Sequence, residues 1–139
     1  MASWQKSFRL STRGRGDVVD VTDQVAKIVT DSRIQQGIVN IAGVGSTLGV
    51  TTLEFEPGCV KDLQRVLEQI APAEADYAHN ARWGDGNGYA HLRSALVGTA
   101  RSFPVSEGRI LIGTWQQIVL CDFDNRGRDR QVLVTVVGE

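Results

Sequence analysis

The sequence predicts a single α+β domain, a mostly antiparallel sheet with helices packed against it, and three observations predict it. The chain has 139 residues, the size of one domain, here residues 1–139 without a second independent core. Short apolar, β-branched runs follow one another with helical periodicity between them. Fifteen glycines and only three prolines are scattered through the chain, which suits turns between many short elements rather than a linker.

Lys6 to Thr12 alternates around Phe8 and Leu10, breaks at Gly14 to Gly16 and resumes at Val18, Val19 and Val21, the pattern of a hairpin. Thr22 and Asp23 offer an N-cap and a first-turn carboxylate to a helix through Val25, Ile28 and Val29 that ends near Ser32. Gly37 to Val44 and Val50 to Phe55 read as strands joined by a Gly/Ser/Thr loop. Pro57 suits a first helical turn, Val60, Leu63, Leu67 and Ile70 recur at helical spacing, and Pro72 ends that helix. Ala73 to Gly88 has little periodicity and reads as a functional loop. A short helix follows from Tyr89 to Val97. Ser102 to Val105, Arg109 to Gly113, Trp115 to Phe123 and Gln131 to Val137 read as strands, with Asp124-Asn125-Arg126-Gly127 as the turn between the last two.

The composition, 42% hydrophobic and 22% charged, is that of a globular protein able to bury a core without disulfide or metal staples. Fifteen basic against sixteen acidic side chains are too balanced for a protein that coats nucleic acid. No apolar run is long enough to span a membrane, and Met1 to Leu10 lacks the apolar core of a secretory signal, so the expected location is cytoplasmic. Cys59 and Cys121, without a CxxC spacing, read as reduced thiols.

Three segments carry candidate chemistry. His79 and His91, the chain's two histidines, flank a loop containing Gly84, Gly86 and Gly88. They converge if that loop folds back. A catalytic zinc needs about three protein ligands, so Asp85, Glu54 or Asp76 would have to complete a set; otherwise each imidazole is a hydrogen-bonded structural side chain. Gly43 to Gly49 contains Gly45, Ser46 and Thr47, whose amides and hydroxyls can face an anion, although no lysine or following helix makes it a P-loop. Arg126, Arg128 and Arg130 alternate with Asp122, Asp124 and Asp129. They are exposed ion pairs if the turn faces solvent and phosphate ligands if it faces a cleft. Trp83 stands in the glycine loop, where it can touch a ligand. Trp115 reads as a core or subunit-interface residue. No local signature nominates a Ser-His-Asp triad.

The block Ser102-Phe103-Pro104-Val105 through Gly108, then Leu111-Ile112-Gly113-Thr114-Trp115-Gln116-Gln117-Ile118, resembles the YjbQ-like family, often labelled secondary thiamine-phosphate synthase. Tyr77-Ala78-His79, Asn87-Gly88-Tyr89-Ala90-His91-Leu92, the Arg-Gly-Arg-Asp-Arg turn and the final Gly138-Glu139 extend the likeness. The resemblance implies a small α+β homotrimer with polar sites near subunit boundaries. It also implies a histidine site able to hold a divalent metal, zinc or magnesium, with His79 and His91 at two of the family's histidine positions. Many members carry a third histidine where this chain reads Gly45-Ser46-Thr47, a departure that leaves such an ion one imidazole short. The implied activity joins a pyrimidine methyl diphosphate to a thiazole phosphate. In that setting His79, His91 and Asp85 are the expected catalytic residues. Gly45, Ser46, Thr47, Trp83, Asn87, Arg126, Arg128 and Arg130 are the expected contacts for a small phosphorylated substrate. The alternatives are a noncatalytic metal- or small-molecule-binding trimer and a metal-dependent hydrolase.

Overall fold

The run Ile118 to Cys121 is buried at every position, so apolar layers must cover both faces of its strand. The computed structural model, which describes residues 1–139, shows how. Its elements are β1 (Ala2–Ser11), β2 (Asp17–Asp20), α1 (Thr22–Ser32), β3 (Gln36–Gly43), β4 (Leu48–Leu53), α2 (Pro57–Ile70), α3 (Ala78–Trp83), α4 (Gly88–Val97), β5 (Ala100–Ser106), β6 (Arg109–Ile110), β7 (Gln117–Asp122) and β8 (Asp129–Gly138). A five-stranded sheet has the order β1-β8-β3-β5-β6, and a three-stranded sheet the order β2-β7-β4. Every strand pair is antiparallel.

β7, central in the small sheet, presents Ile118 and Leu120 to one core and Val119 and Cys121 to another. The first core also takes Val39 and Ile41 from β3, Val132, Val134 and Val136 from β8, and Val25, Ile28 and Val29 from α1. The second takes Phe123, Leu67 of α2, and Tyr89 and Ala90 of α4. Burial in this second core pushes the Cys121 thiol up to about 12, with Asp122 and Asp17 adding to the effect. That thiol stays protonated and unreactive near neutral pH.

α2 begins as its sequence suggests, with Pro57 in the first turn. Glu56 caps it, accepting from the amides of Gly58 at 2.6 Å and Cys59 at 2.9 Å. Those backbone bonds hold the Glu56 carboxyl below the usual range. α1 is entered differently from the expectation. Thr22 lies inside the helix, and its amide and hydroxyl both donate to Asp20.

Both expected hairpins are absent. β1 pairs along its whole length with β8, whereas β2 pairs with β7, so the turn at Gly14 to Gly16 carries the chain from one sheet to the other. The turn at Asp124 to Gly127 does the same between β7 and β8. The two crossovers clasp each other: the Arg15 amide donates to the Asp124 carbonyl at 2.6 Å and the Thr12 amide to the Arg128 carbonyl at 2.8 Å. Gly14 has φ 71°, and a Cβ there would lie 2.3 Å from the Arg126 carbonyl oxygen, so this close approach requires glycine. The expected strand from Arg109 to Gly113 is only Arg109–Ile110, and β7 starts at Gln117 rather than Trp115. Trp115 is 73% exposed, which removes it from the core. The expected loop from Ala73 to Gly88 contains the six-residue helix α3.

Phe123→Ala, at a side chain 1% exposed, is expected to cost about 3–5 kcal/mol in urea unfolding. A cost below about 1 kcal/mol would mean that the helices are not packed on the small sheet.

Candidate active site

Alternation places alternate residues of a strand on one face. In β8 the inward residues Val136, Val134 and Val132 therefore lead to Arg130, and in β7 Ile118 and Leu120 lead to Asp122. At the end of the first core the two polar side chains meet. Arg130 Nε donates to Asp122 Oδ2 at 2.7 Å and Nη2 to Oδ1 at 2.8 Å, a bidentate pair. The Thr12 hydroxyl donates to the same carboxylate, and Asp122 is fully buried.

Asp124, 1% exposed, forms a second centre. It accepts from the Thr47 hydroxyl at 2.9 Å and from Asn87 Nδ2 at 3.1 Å, and Arg128 Nε lies 3.1 Å away. Burial would raise this carboxyl, but the bonds from Asn87 and Thr47, together with Arg128, outweigh it and hold the group below its ordinary value of 3.8. Thr47 also accepts from Arg130 Nη2 at 2.7 Å, which joins the two centres. Asn87 is tied in turn to the Asn125 amide through its Oδ1 at 3.0 Å, while its own amide donates to Asp85 Oδ1 at 3.1 Å. The bend at 45–47, the loop at 84–88 and the turn at 122–130 are thus one hydrogen-bonded unit.

The histidines stand beside this unit. α3 carries His79 and the second turn of α4 carries His91, and their ring centroids lie 4.5 Å apart at 40°. The Asn80 side chain accepts from the Gly88 amide at 2.9 Å, fixing the start of α4 against α3. His79 Nδ1 is buried without a hydrogen-bond partner, with Asp85 Oδ1 at 3.4 Å. His91 faces an open hollow of about 370 Å³, lined also by Gly45, Ser46, Ser94, Gly98 and Thr99, a volume within the range of small-molecule sites.

The structure therefore brings His79, His91 and Asp85 together, and sets Gly45 and Ser46 across the hollow from His91. Thr47, Asn87 and Arg130 are buried beneath it. Arg128 is half-buried against Asp124, and the Arg126 side chain is exposed without an ion pair. Trp83 is 67% exposed, with the Arg82 guanidinium over its ring. Ser94 and Thr99 escape a reading of local motifs, and Asp122 and Asp124 enter it only as partners alternating with the arginines. The signal for burying Asp122 is the inward register it shares with Ile118 and Leu120.

No three His, Cys, Asp or Glu side chains of this chain are grouped to hold a metal ion. A catalytic zinc takes three protein ligands, and one chain alone does not group them.

The family model of the UPF0047 protein YjbQ-like family matches residues 6–139. The chain belongs to the YjbQ family. A UPF0047 protein of Methanothermobacter thermautotrophicus is 33% identical over 100% of this chain and 95% of its own. The UPF0047 protein YugU of Bacillus subtilis is 30% identical over 96% of this chain and 98% of its own. A crystal structure of a protein of unknown function from Sulfolobus solfataricus superposes with a TM-score of 0.94 at 33% identity, covering 99% of each chain. Full-length coverage by the YjbQ family places the chain in a single-domain α+β fold, and no helix is long and apolar enough to cross a membrane.

Arg130→Met leaves Asp122 buried without its cation, and a loss of about 3–5 kcal/mol is expected in urea unfolding; a neutral result would contradict the pairing. Because the folded-state value of Asp124 is depressed, its contribution is complete above 3.8 and is lost as pH falls through the lower folded value. The stability advantage of wild type over Asp124→Asn should therefore shrink on strong acidification. An advantage that grows on acidification would reverse the assignment.

Proposed function

We propose that the protein is a self-associating enzyme acting on a small phosphorylated substrate, with the histidine pair as its acid/base centre. The observation that carries this reading is the convergence of His79 and His91, separated by a glycine-rich loop in sequence, at 4.5 Å between ring centroids, with His91 on the wall of the hollow. His91 is the group that touches substrate. His79 is a positioning residue, with Asp85 beside its Nδ1.

The reaction that the family resemblance implies is the joining of a pyrimidine methyl diphosphate to a thiazole phosphate. The carbon–oxygen bond to the diphosphate breaks, a carbon–nitrogen bond to the thiazole nitrogen forms, and pyrophosphate leaves with the electron pair. A protonated His91 can donate to the departing oxygen, and the exposed Arg126 can neutralise phosphate charge.

Self-association is supported by the outer face of the large sheet. Register puts Ser3, Gln5 and Ser7 of β1, Thr135 and Val137 of β8, Ile38 and Asn40 of β3, and Ser102 and Pro104 of β5 on one surface. Its charges lie at its two edges, Arg109 on β6 and, at the β1 side, Arg9 paired with Asp129 at 3.0 Å. A sheet face whose centre carries no charge suits a second copy of the chain, and a homotrimer is the proposed state.

A noncatalytic trimer that binds a metal or small molecule is the second reading, favoured by the unpartnered ring nitrogen of His79. Turnover separates the two. Purified protein given both thiamine precursors should form thiamine phosphate, and His91→Ala should lower the rate by about 10²–10⁴-fold. No product, or an unchanged rate in the variant, would remove the acid/base assignment. Sedimentation should give about three times the 15.2 kDa subunit mass; a monomer at micromolar concentration would contradict the assembly.

A further inference from the structure

Arg130 is 7% exposed, and two of its three guanidinium nitrogens are fully engaged. Nε and Nη2 hold Asp122 at 2.7 and 2.8 Å, and Nη2 also holds Thr47 at 2.7 Å. Nη1 has no acceptor in the chain, yet it is not among the nitrogens sealed from solvent without a partner, which are His79 Nδ1 and Arg128 Nε. It lies directly behind Gly45, a residue that lines the hollow. The amides of Gly45, Ser46 and Thr47 also donate to no acceptor within the chain. A mostly buried guanidinium and three consecutive amides are thus left with free N–H groups at one bend.

Gly45 is what keeps that bend open. Its φ is not in the left-handed region, so the backbone does not demand glycine. A Cβ at this position would lie 2.9 Å from Arg130 Nη1 and 3.1 Å from Leu48 Cδ2. The guanidinium cannot swing aside without breaking its bonds to Asp122 and Thr47. A side chain here would therefore cover the one free nitrogen of Arg130.

We propose that Gly45, Ser46, Thr47 and Arg130 Nη1 form the subsite for the terminal phosphate of a phosphate monoester, with Gly45 as its specificity-determining residue. This deepens the reading above and rests on it for the substrate class. Guanidinium and backbone N–H groups match the tetrahedral oxygens of phosphate and supply no acceptor to compete with them. The nearest carboxylates, Asp122 and Asp124, are already occupied by donors of the buried network. His91 on the same hollow adds positive charge when protonated.

The test is a titration of the wild-type protein with inorganic phosphate, followed by amide and arginine side-chain NMR. The signals of Gly45, Ser46, Thr47 and Arg130 should move together and saturate. Gly45→Ala should weaken phosphate binding by about tenfold or more, as expected for losing a hydrogen bond to a charged group, while its circular dichroism stays native. Signals at the bend that do not move, shifts reproduced by chloride at equal ionic strength, or equal phosphate affinity in a folded Gly45→Ala would each overturn the subsite. Phosphate binding that depends on Gly45 without product formation from the thiamine precursors upholds the subsite and removes the reaction. Product formation with an unmoved bend does the reverse.

Discussion

Two carboxylates at the end of the first core, Asp122 and Asp124, organise the polar half of this protein. A buried carboxylate is costly unless it is paired and its remaining lone pairs are satisfied. Here each has its own arginine: Asp122 has Arg130 in a bidentate contact, and Asp124 has Arg128. Thr12 serves the first and Thr47 and Asn87 serve the second. The donors come from separate parts of the chain, so satisfying the two acids draws the 12–16 crossover, the 45–47 bend and the 84–88 loop onto the 122–130 turn.

That requirement explains where the candidate site lies. His91 belongs to α4, which starts beside Asn87, a residue bound to Asp124 on one side and to the Asp85 carboxylate and the Asn125 amide on the other. His79 rides on the short α3, held to the start of α4 through Asn80. The histidine pair is therefore placed by polar bonds at its base, while apolar packing secures α4 through Tyr89 and Ala90. Most of the arginine turn's charge is spent inside the protein, which leaves Arg126 and one edge of Arg130 as its outward-facing donors.

Much of this was legible in the sequence, and the gaps have physical causes. The apolar spacing from Val60 to Ile70 and the Pro57 start mark α2, and the β-branched runs mark β3, β4, β7 and β8. α3 left no trace because none of its residues is buried, so no apolar stripe reveals it. The hairpin expectations followed local turn chemistry, but sheet partners are chosen by layers: β7 has apolar residues on both faces and belongs between two cores, whereas β8 belongs to the large sheet. The three candidate segments could be named from residue type alone. Their mode of meeting could not, since alternating Asp and Arg read equally well as exposed pairs or ligand contacts. Only the inward register of Arg130 and Asp122, shared with Val132 and Leu120, points to burial.

The most direct test of the shared network is amide hydrogen exchange in wild type and Asp124→Asn. The Arg15 amide is held by the Asp124 carbonyl, the Asn125 amide by Asn87, and the Asn87 amide by Asp85. All three should lose protection together in the variant, while Val39 and Val134 in the large sheet keep theirs. Loosening confined to Asn125, with Arg15 and Asn87 as protected as before, would contradict the claim that one buried carboxylate binds these segments into a unit.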